Sequence, residues 1–214
     1  MSVQAVIEAA RADLGYTENP PNSNATKYGA AYGLQGQPWC VMALWFWFRQ
    51  AGESSAFFGG AKTASCGTLY RWYKAQGLTV HVEEARPGDI VLLNFHGGKD
   101  PEHCGLILGT GDGWVSTIEG NTSYSYNVGS QDNGGCVAYK TRLYRNIVGV
   151  CRPMYKEEPK TDWEGHWAEE HIRWAMDKGL MTGYEDRTWQ PDKPVTRAEL
   201  AAVLHRLNST KKCD

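Results

Sequence analysis

The chain has 214 residues, of which 42% are hydrophobic and 21% are charged, and its formal net charge is −2 at neutral pH. This length and composition suit a folded protein with one core and a small second unit. Because basic residues are neither in excess nor clustered, we predict no nucleic-acid partner. No segment approaches the roughly 18 apolar residues of a membrane span, so we predict no membrane partner either.

The first eleven residues predict a short amphipathic helix rather than a signal peptide, because no basic stretch precedes a long apolar segment. We therefore expect synthesis in the cytoplasm without an export signal. The six cysteines show neither the density of a disulfide scaffold nor C-x-x-C pairs for zinc. We expect mostly reduced thiols, no metal site and no cofactor. Their positions are 40, 66, 104, 136, 151 and 213.

Cys40 begins an apolar run that extends to Phe48 and is followed by Gly52. Proline is tolerated in a first helical turn, so Pro38 and Gly52 bracket a buried helix with Cys40 in its opening turn. Unpaired N–H groups at that end favour a thiolate and can hold an oxyanion. Cys40 is therefore a candidate nucleophile, although a small buried core cysteine fits the residue type as well.

The pattern changes from helical to extended after a further helix at 67–76. Helices followed by short antiparallel strands predict an α+β fold. Residues 154–161 are polar, contain proline and predict a linker between a domain at 1–153 and a helical unit at 162–214. The predicted strands cover residues 89–95, 103–108, 114–119, 136–143 and 147–151.

His103 is the best of six candidate bases, because it opens an apolar strand directly after a loop. If residues 111–113 form the hairpin loop, position 103 lies opposite 121 and position 105 opposite 119. His103, Glu119 and Asn121 then share one face of the hairpin, whereas a slip of one residue would separate them. A structural histidine is the alternative, and His96 is a second candidate base.

The other cysteines fit a catalytic role less well. Cys104 neighbours His103 in a strand and is expected to point to the opposite face, as packing. Cys66 lacks an apolar helix behind it, and Cys136 and Cys151 lie in predicted strands. Cys40 therefore remains the predicted nucleophile.

Six short segments of the first domain are GYTE at 15–18, KYG at 27–29, PWC at 38–40, RPGD at 86–89, HCG at 103–105 and IEGN at 118–121. Together they resemble the CHAP family of cysteine, histidine-dependent amidohydrolases and peptidases. The resemblance covers about residues 1–153 and implies a papain-like fold that cleaves amide bonds of peptidoglycan stem peptides or cross-bridges. It implies that Cys40 is the nucleophile, His103 the general base, Glu119 the group that orients the imidazole and Asn121 a supporting residue.

Three residues before the nucleophile are candidates for the oxyanion hole or for substrate contact. Gln35 or Gln37 could add a side-chain donor, and Trp39 could contact substrate. Some members of the family carry an aspartate-rich calcium loop before the cysteine. Residues 28–37 contain no acidic residue here, so we predict no calcium requirement.

The C-terminal unit contains the segments DW at 162–163, HWA at 166–168, KGLMTGY at 178–184, QP at 190–191 and PVTRAE at 194–199. These segments resemble a single S-layer homology repeat. Such repeats bind secondary cell-wall polymers, which implies Arg197 and Trp163 as polymer contacts. Thr196 and Glu199 also form a capping box, which gives this segment a purely structural alternative. The family usually works with several repeats, so self-association into a homo-oligomer could supply the missing copies.

Together these features predict a peptidoglycan hydrolase most like a phage or prophage endolysin, an amidase or endopeptidase that acts at the wall after release from the bacterial host. Two alternatives remain open. The chain could be an exported autolysin or effector, or a wall-binding module whose cysteine site is idle.

Overall fold

The computed structural model describes residues 3–125, 130–155, 161–184 and 188–210. The chain divides into two compact units, residues 1–157 and residues 158–214.

Four α-helices lie in the described part of the first unit. They are α1 (Val3–Arg11), α2 (Lys27–Tyr32), α3 (Cys40–Gln50) and α4 (Cys66–Ala75). Two of them begin at side-chain caps, because the hydroxyl of Thr26 accepts the N–H of Gly29 and that of Ser65 accepts the N–H of Thr68. The bounds of α3 confirm the helix predicted from the apolar run, and α4 begins one residue earlier than predicted.

One antiparallel sheet follows, with the strand order β1-β6-β2-β3-β4-β5. The mixture of helices and antiparallel sheet confirms the predicted α+β class at that level. Five strands match predicted segments, while β1 has only two residues and therefore too short a pattern to detect. The strands are β1 (Thr79–Val80), β2 (Ile90–Leu93), β3 (His103–Gly111), β4 (Trp114–Thr122), β5 (Cys136–Leu143) and β6 (Ile147–Cys151).

Helix α3 is buried against β3 and β4 in the larger of two apolar clusters. Side chains alternate along a strand, so Cys104 and Leu106 of β3 join this cluster while Ile107 joins a second cluster. A buried carboxylate, Asp13, fixes the helices to one another. It accepts hydrogen bonds from Tyr28 Oη at 2.7 Å and Trp47 Nε1 at 3.0 Å.

The β3–β4 register is the one predicted near the site, but it arises differently. The connecting turn has two residues rather than three, because Gly111 pairs with Trp114. A bulge between Ile107 and Gly109 then shifts the pairing by one residue, so that Leu106 faces Ile118. The two deviations cancel, and Glu119 meets the strand at Gly105, where an added Cβ would lie 2.5 Å from Glu119 Cγ.

The second unit contains two helices in its described residues, α5 (Glu169–Asp177) and α6 (Arg197–Thr210). The predicted capping box opens α6: Thr196 N donates to Glu199 Oε2 at 2.7 Å, and Glu199 N donates to Thr196 Oγ1 at 3.2 Å. None of the helices in the described residues is long and apolar enough to cross a membrane.

Tyr155, near the start of the predicted linker, packs against residues of the first unit. Tyr155 stacks on Phe48 with ring centroids 5.6 Å apart, and its hydroxyl donates to Gly88 O at 2.5 Å. Tyr155 therefore belongs to the first unit. Residues 156–160 of the predicted linker lie outside the described residues.

Candidate active site

Cys40 is the first residue of α3, as predicted, and its side chain is buried with 4% exposure. Trp39 precedes the helix and contributes no side-chain cap to it. The first-turn N–H groups have no partners within the helix, and Trp39 leaves them available to an anion. The position therefore combines a nucleophilic atom with donors for a developing oxyanion.

His103 and Glu119 lie together at the start of β3 and within β4. Nε2 of His103 is 3.0 Å from Oε2 of Glu119, and both side chains are fully buried. The other ring nitrogen, Nδ1, is buried and has no hydrogen-bond partner among the described residues. Cys40 and His103 are close enough for each to shift the pKa of the other. Because Glu119 engages Nε2, Nδ1 is the nitrogen left to serve the Cys40 thiol.

Arg142 completes this chain of contacts, and the sequence analysis missed it. From β5 it donates to both oxygens of Glu119, from Nε to Oε1 at 2.9 Å and from Nη2 to Oε2 at 2.5 Å. Thr117 Oγ1 adds a hydrogen bond to Oε1 at 2.6 Å. A signal was present, since Lys140 and Arg142 are two apart in β5 and therefore share one face with each other. Both are buried, which for charged residues requires partners.

The local charges favour an ion pair between Cys40 and His103. The pKa of the Cys40 thiol is well below its ordinary value, because the neighbouring Cys104 and Cys66 thiols hydrogen-bond to its sulfur and the charge of His103 acts in the same direction, against the effect of burial. Burial alone would lower the pKa of His103, but Cys40 and Glu119 raise it to about 9. Burial would raise the pKa of Glu119, whereas Arg142 and His103 lower it to about 2. These directions favour a thiolate at Cys40, an imidazolium at His103 and a carboxylate at Glu119.

Two further cysteines surround the candidate nucleophile. The sulfur atoms of Cys40 and Cys66 are 3.7 Å apart, and those of Cys40, Cys66 and Cys104 all lie within 4.8 Å of one another. Cys104 was expected to be packing on the face opposite His103, but its sulfur lies within 4.8 Å of the sulfurs of Cys40 and Cys66, so it is a neighbour of the candidate nucleophile. Cys66 was set aside for lack of a helix, yet it is the first residue of α4.

Asn121 does not join His103 as predicted. The β4–β5 register shifts between Glu119 and Thr122, and Asn121 has a positive φ of 61°. Its Nδ2 instead donates to Asp132 O at 3.1 Å, in the loop after β4. Its Oδ1 is buried without a partner among the described residues. The bulge has therefore turned this side chain toward the loop, and support of the imidazole by Asn121 stays a prediction without a contact behind it.

The structure gives the residues before Cys40 different roles. The side-chain amide of Gln35 accepts a hydrogen bond from Thr26 N and donates one to Thr26 O, each at 3.0 Å. These bonds hold the start of α2, so the amide is not available to an oxyanion. Trp39 is 0% exposed and stacks on Tyr28 with centroids 5.0 Å apart, which contradicts a substrate contact for its side chain. Gln37 is exposed, and its predicted role stays a prediction.

His96, the second candidate base, is exposed and its Nδ1 lies 2.8 Å from Glu102 Oε1. This pairing places it with the loop before β3, whereas His103 is the histidine that interacts with Cys40.

Comparisons with known proteins give separate results for the two units. Residues 161–201 match the S-layer homology domain. The Cellulosome-anchoring protein of Acetivibrio thermocellus is 42% identical over 45 residues, which are 21% of this chain and 10% of that protein. Cell surface glycoprotein 1 of the same organism is 49% identical over 47 residues, 22% of this chain and 2% of that protein. The chain thus spans a tenth or less of these two relatives.

For the first unit the similarity is structural and distant. A crystal structure of the endolysin LysIME-EF1 aligns with a TM-score of 0.47 and 16% identity over 73% of this chain and 66% of that one. A protein of the NLP/P60 family from Staphylococcus aureus aligns with a TM-score of 0.42 and 15% identity over 72% of this chain and 42% of that one. Similarity at this level carries no argument about activity.

The two predicted polymer contacts of the S-layer homology unit differ in accessibility. Trp163 is only 8% exposed and lies beneath the guanidinium of Arg173, 4.7 Å from the ring centroid. Its burial makes it part of the small core of this unit and contradicts a direct polymer contact. Arg197 is exposed at the start of α6 and free to meet a ligand; its role in binding stays a prediction.

A cavity of about 540 Å³ lies within the same unit and was not predicted. Tyr184 and Trp189 contribute aromatic surface to its wall, and Lys193 and Arg206 contribute positive charge. Lys193 Nζ sits 4.6 Å from the ring centroid of Tyr184. Aromatic rings beside cations suit an anionic sugar polymer better than the buried Trp163 does.

Proposed function

We propose that the chain is a cysteine-dependent peptidoglycan hydrolase of the CHAP type, with a papain-like first unit and a C-terminal unit that targets the cell wall. One observation carries the proposal. Arg142 binds Glu119, Glu119 binds Nε2 of His103, and all three side chains are buried. The other ring nitrogen of His103, Nδ1, is therefore available to Cys40, which lies at a helix N-terminus. A nucleophile, a base and a group that orients the base are the parts that acyl transfer by cysteine requires.

In the first half of the reaction the Cys40 thiolate attacks the amide carbonyl carbon. The carbonyl oxygen becomes an oxyanion, which the N–H groups at the start of α3 stabilise. The C–N bond then breaks as Nδ1 of the His103 imidazolium gives its proton to the departing amine nitrogen. The products of this half are a free amine and a thioester on Cys40.

In the second half His103, now neutral, accepts a proton from water through Nδ1 as the water oxygen attacks the thioester carbonyl. The C–S bond breaks, and the carboxylic acid product leaves while Cys40 returns to the thiolate. Glu119 holds the ring through Nε2 throughout and stabilises its charged form, since the carboxylate lies 3.0 Å away. Arg142 keeps that carboxylate ionised.

The test is lysis of purified walls by full-length Cys40→Ala, with Cys151→Ser as a control, because Cys151 is buried in β6 outside the three-cysteine cluster. We expect the rate to fall by about a thousandfold or more in Cys40→Ala and to change little in the control. Retention of most activity by a folded Cys40→Ala protein would refute the proposal and favour a wall-binding module with an idle site. Slow reaction of Cys40 with a thiol-directed reagent would point the same way.

Mass spectrometry of the digested walls assigns the bond. New muramic-acid ends would indicate an amidase, and new amino termini within stem or bridge peptides would indicate an endopeptidase. Both reactions use the same groups, so the contacts around the substrate decide between them.

We further propose that the S-layer homology unit binds a secondary cell-wall polymer through the cavity that Lys193 and Arg206 line and through Arg197. Self-association belongs to the same proposal, because two leucines of α6, Leu200 and Leu204, are 48% and 56% exposed. Lysis by an endolysin of phage or prophage origin is the biological role that this combination fits best, with action at the wall after release.

A further inference from the structure

Three cysteines that are far apart in sequence bring their sulfur atoms together at the proposed active site. Cys40 begins α3, Cys66 begins α4 and Cys104 lies in β3. Their sulfur atoms all lie within 4.8 Å of one another, and Cys40 Sγ and Cys66 Sγ are 3.7 Å apart. The thiols are free and buried, with exposures of 4%, 7% and 0%. A cysteine nucleophile by itself requires neither neighbouring thiol.

The spacing of these atoms is that of ligands around one soft metal ion. In a tetrahedral zinc site the Zn–S bonds are about 2.3 Å long, which places two sulfur ligands about 3.8 Å apart. The Cys40–Cys66 distance already matches this value. The Cys104 sulfur needs to move by no more than about 1 Å to complete three ligands at that spacing. Thiolate ligands select soft or borderline cations over calcium and magnesium.

We propose that Cys40, Cys66 and Cys104 bind one thiophilic metal ion of the zinc class, and that this ion holds the hydrolase inactive by taking the nucleophile as a ligand. Binding displaces the thiol protons, and the fourth position is left to water or another exchangeable ligand. The first half of the proposal stands on the geometry alone, and the inhibitory half rests on the proposed function. The three cysteines form no C-x-x-C pair in the sequence, and for that reason the sequence analysis predicted no metal site.

The binding test uses full-length protein that has been reduced and treated with EDTA, titrated with Co²⁺ or Cd²⁺ alone. We expect thiolate-to-metal charge-transfer absorption that saturates at one equivalent. Cys66→Ser and Cys104→Ser should each weaken binding by about a hundredfold or more, because each removes a direct ligand. Cys151→Ser and Cys213→Ser are the controls and should leave the titration unchanged. Circular dichroism establishes that each variant is folded.

Three results would refute the metal site. The first is an absence of saturating absorption in reduced wild-type protein, and the second is full-strength absorption in both Cys66→Ser and Cys104→Ser. The third is a Cys40–Cys66 disulfide that persists under reductant and blocks metal uptake. These results do not depend on enzyme activity, so they remain distinct from failure of the proposed function.

The inhibitory half is tested with zinc on lysis. One equivalent of Zn²⁺ should abolish wall lysis, and EDTA should restore it. The lysis rate of Cys104→Ser, taken relative to its own rate in EDTA, should not fall at zinc concentrations that inhibit the wild type, since one ligand is missing. Full activity of wild-type protein with the metal demonstrably bound would refute inhibition and leave the binding site standing.

Discussion

Replacing Arg142 by methionine should destabilise the first unit strongly near neutral pH. The guanidinium is 4% exposed and donates two hydrogen bonds, at 2.9 and 2.5 Å, to the fully buried carboxylate of Glu119. Removal of one partner of a buried ion pair costs about 3 to 5 kcal/mol, since it leaves a buried charge less well compensated. The pKa of Glu119 gives an independent figure. Its lowering from 4.5 to about 2 corresponds to about 3 kcal/mol, shared between Arg142 and His103.

The sign of the pH dependence follows from the direction of that shift. Because the folded protein lowers the pKa of Glu119, the stabilisation is fully present above the ordinary carboxyl pKa. It is lost as the pH falls through the interval between 4.5 and about 2. The difference between wild type and Arg142→Met should therefore shrink in this interval, where the carboxyl group becomes neutral.

Urea unfolding of the full chain at neutral pH and at about pH 3, followed by tryptophan fluorescence, measures both effects. Arg173→Met is the control, since Arg173 pairs with Glu169 on an exposed helix face and, together with its contact over Trp163, should contribute no more than about 1 kcal/mol. The double variant Glu119→Gln with Arg142→Met should recover part of the loss, because no charge is left unpaired. A loss below about 1 kcal/mol, or an equal loss at both pH values, would refute this account of the buried pair.

Three further predictions concern the ion pair, calcium and the two units. The rate of Cys40 alkylation by iodoacetamide should stay fast and nearly constant from about pH 6 to 8. The rate of wall lysis should fall as His103 deprotonates near pH 9. An alkylation rate that rises with pH like that of an ordinary thiol would contradict the ion pair. EDTA should leave lysis undiminished, and loss that calcium restores would reveal an oxygen-ligand site. A protein truncated after residue 157 should still cleave soluble wall fragments but sediment less with intact walls. Light scattering on both forms gives the number of subunits and so shows whether the removed unit also drives assembly. Unchanged wall binding together with an unchanged number of subunits would refute both roles.

The sequence was sufficient to find the residues whose chemistry is visible in local patterns. The apolar run after Cys40 placed the cysteine at a helix start, and period-two alternation placed His103 and Glu119 on one face, as their contact at 3.0 Å confirms. Arg142 was missed because its partner lies 23 positions away in the chain and on another strand. The spacing of Lys140 and Arg142 places both on one face of β5, but it does not identify the buried carboxylate that lies beside them.

The same limitation explains the error over Cys104. Strand alternation correctly separates Cys104 from His103, but it does not say which face of the sheet the nucleophile helix covers. That depends on how α3 packs against β3 and β4, and it brings the cysteine into the cluster around Cys40. Tertiary packing therefore places the sulfur of Cys104, which was interpreted as a packing residue, close to the sulfur of Cys40.

The β3–β4 register shows how a correct placement can rest on compensating errors. A two-residue turn at 112–113 would by itself have moved Glu119 out of line with His103, and the bulge between Ile107 and Gly109 restores the alignment. A side chain at position 109 would be crowded, since a Cβ added to Gly109 would lie 3.2 Å from Ser116 Oγ. Bulges commonly reorient side chains beside active sites, and this one sets the pairing on which the His103–Glu119 contact depends. The alignment of His103 with Glu119 is therefore a property of the whole hairpin, including a turn and a bulge that lie outside the candidate site.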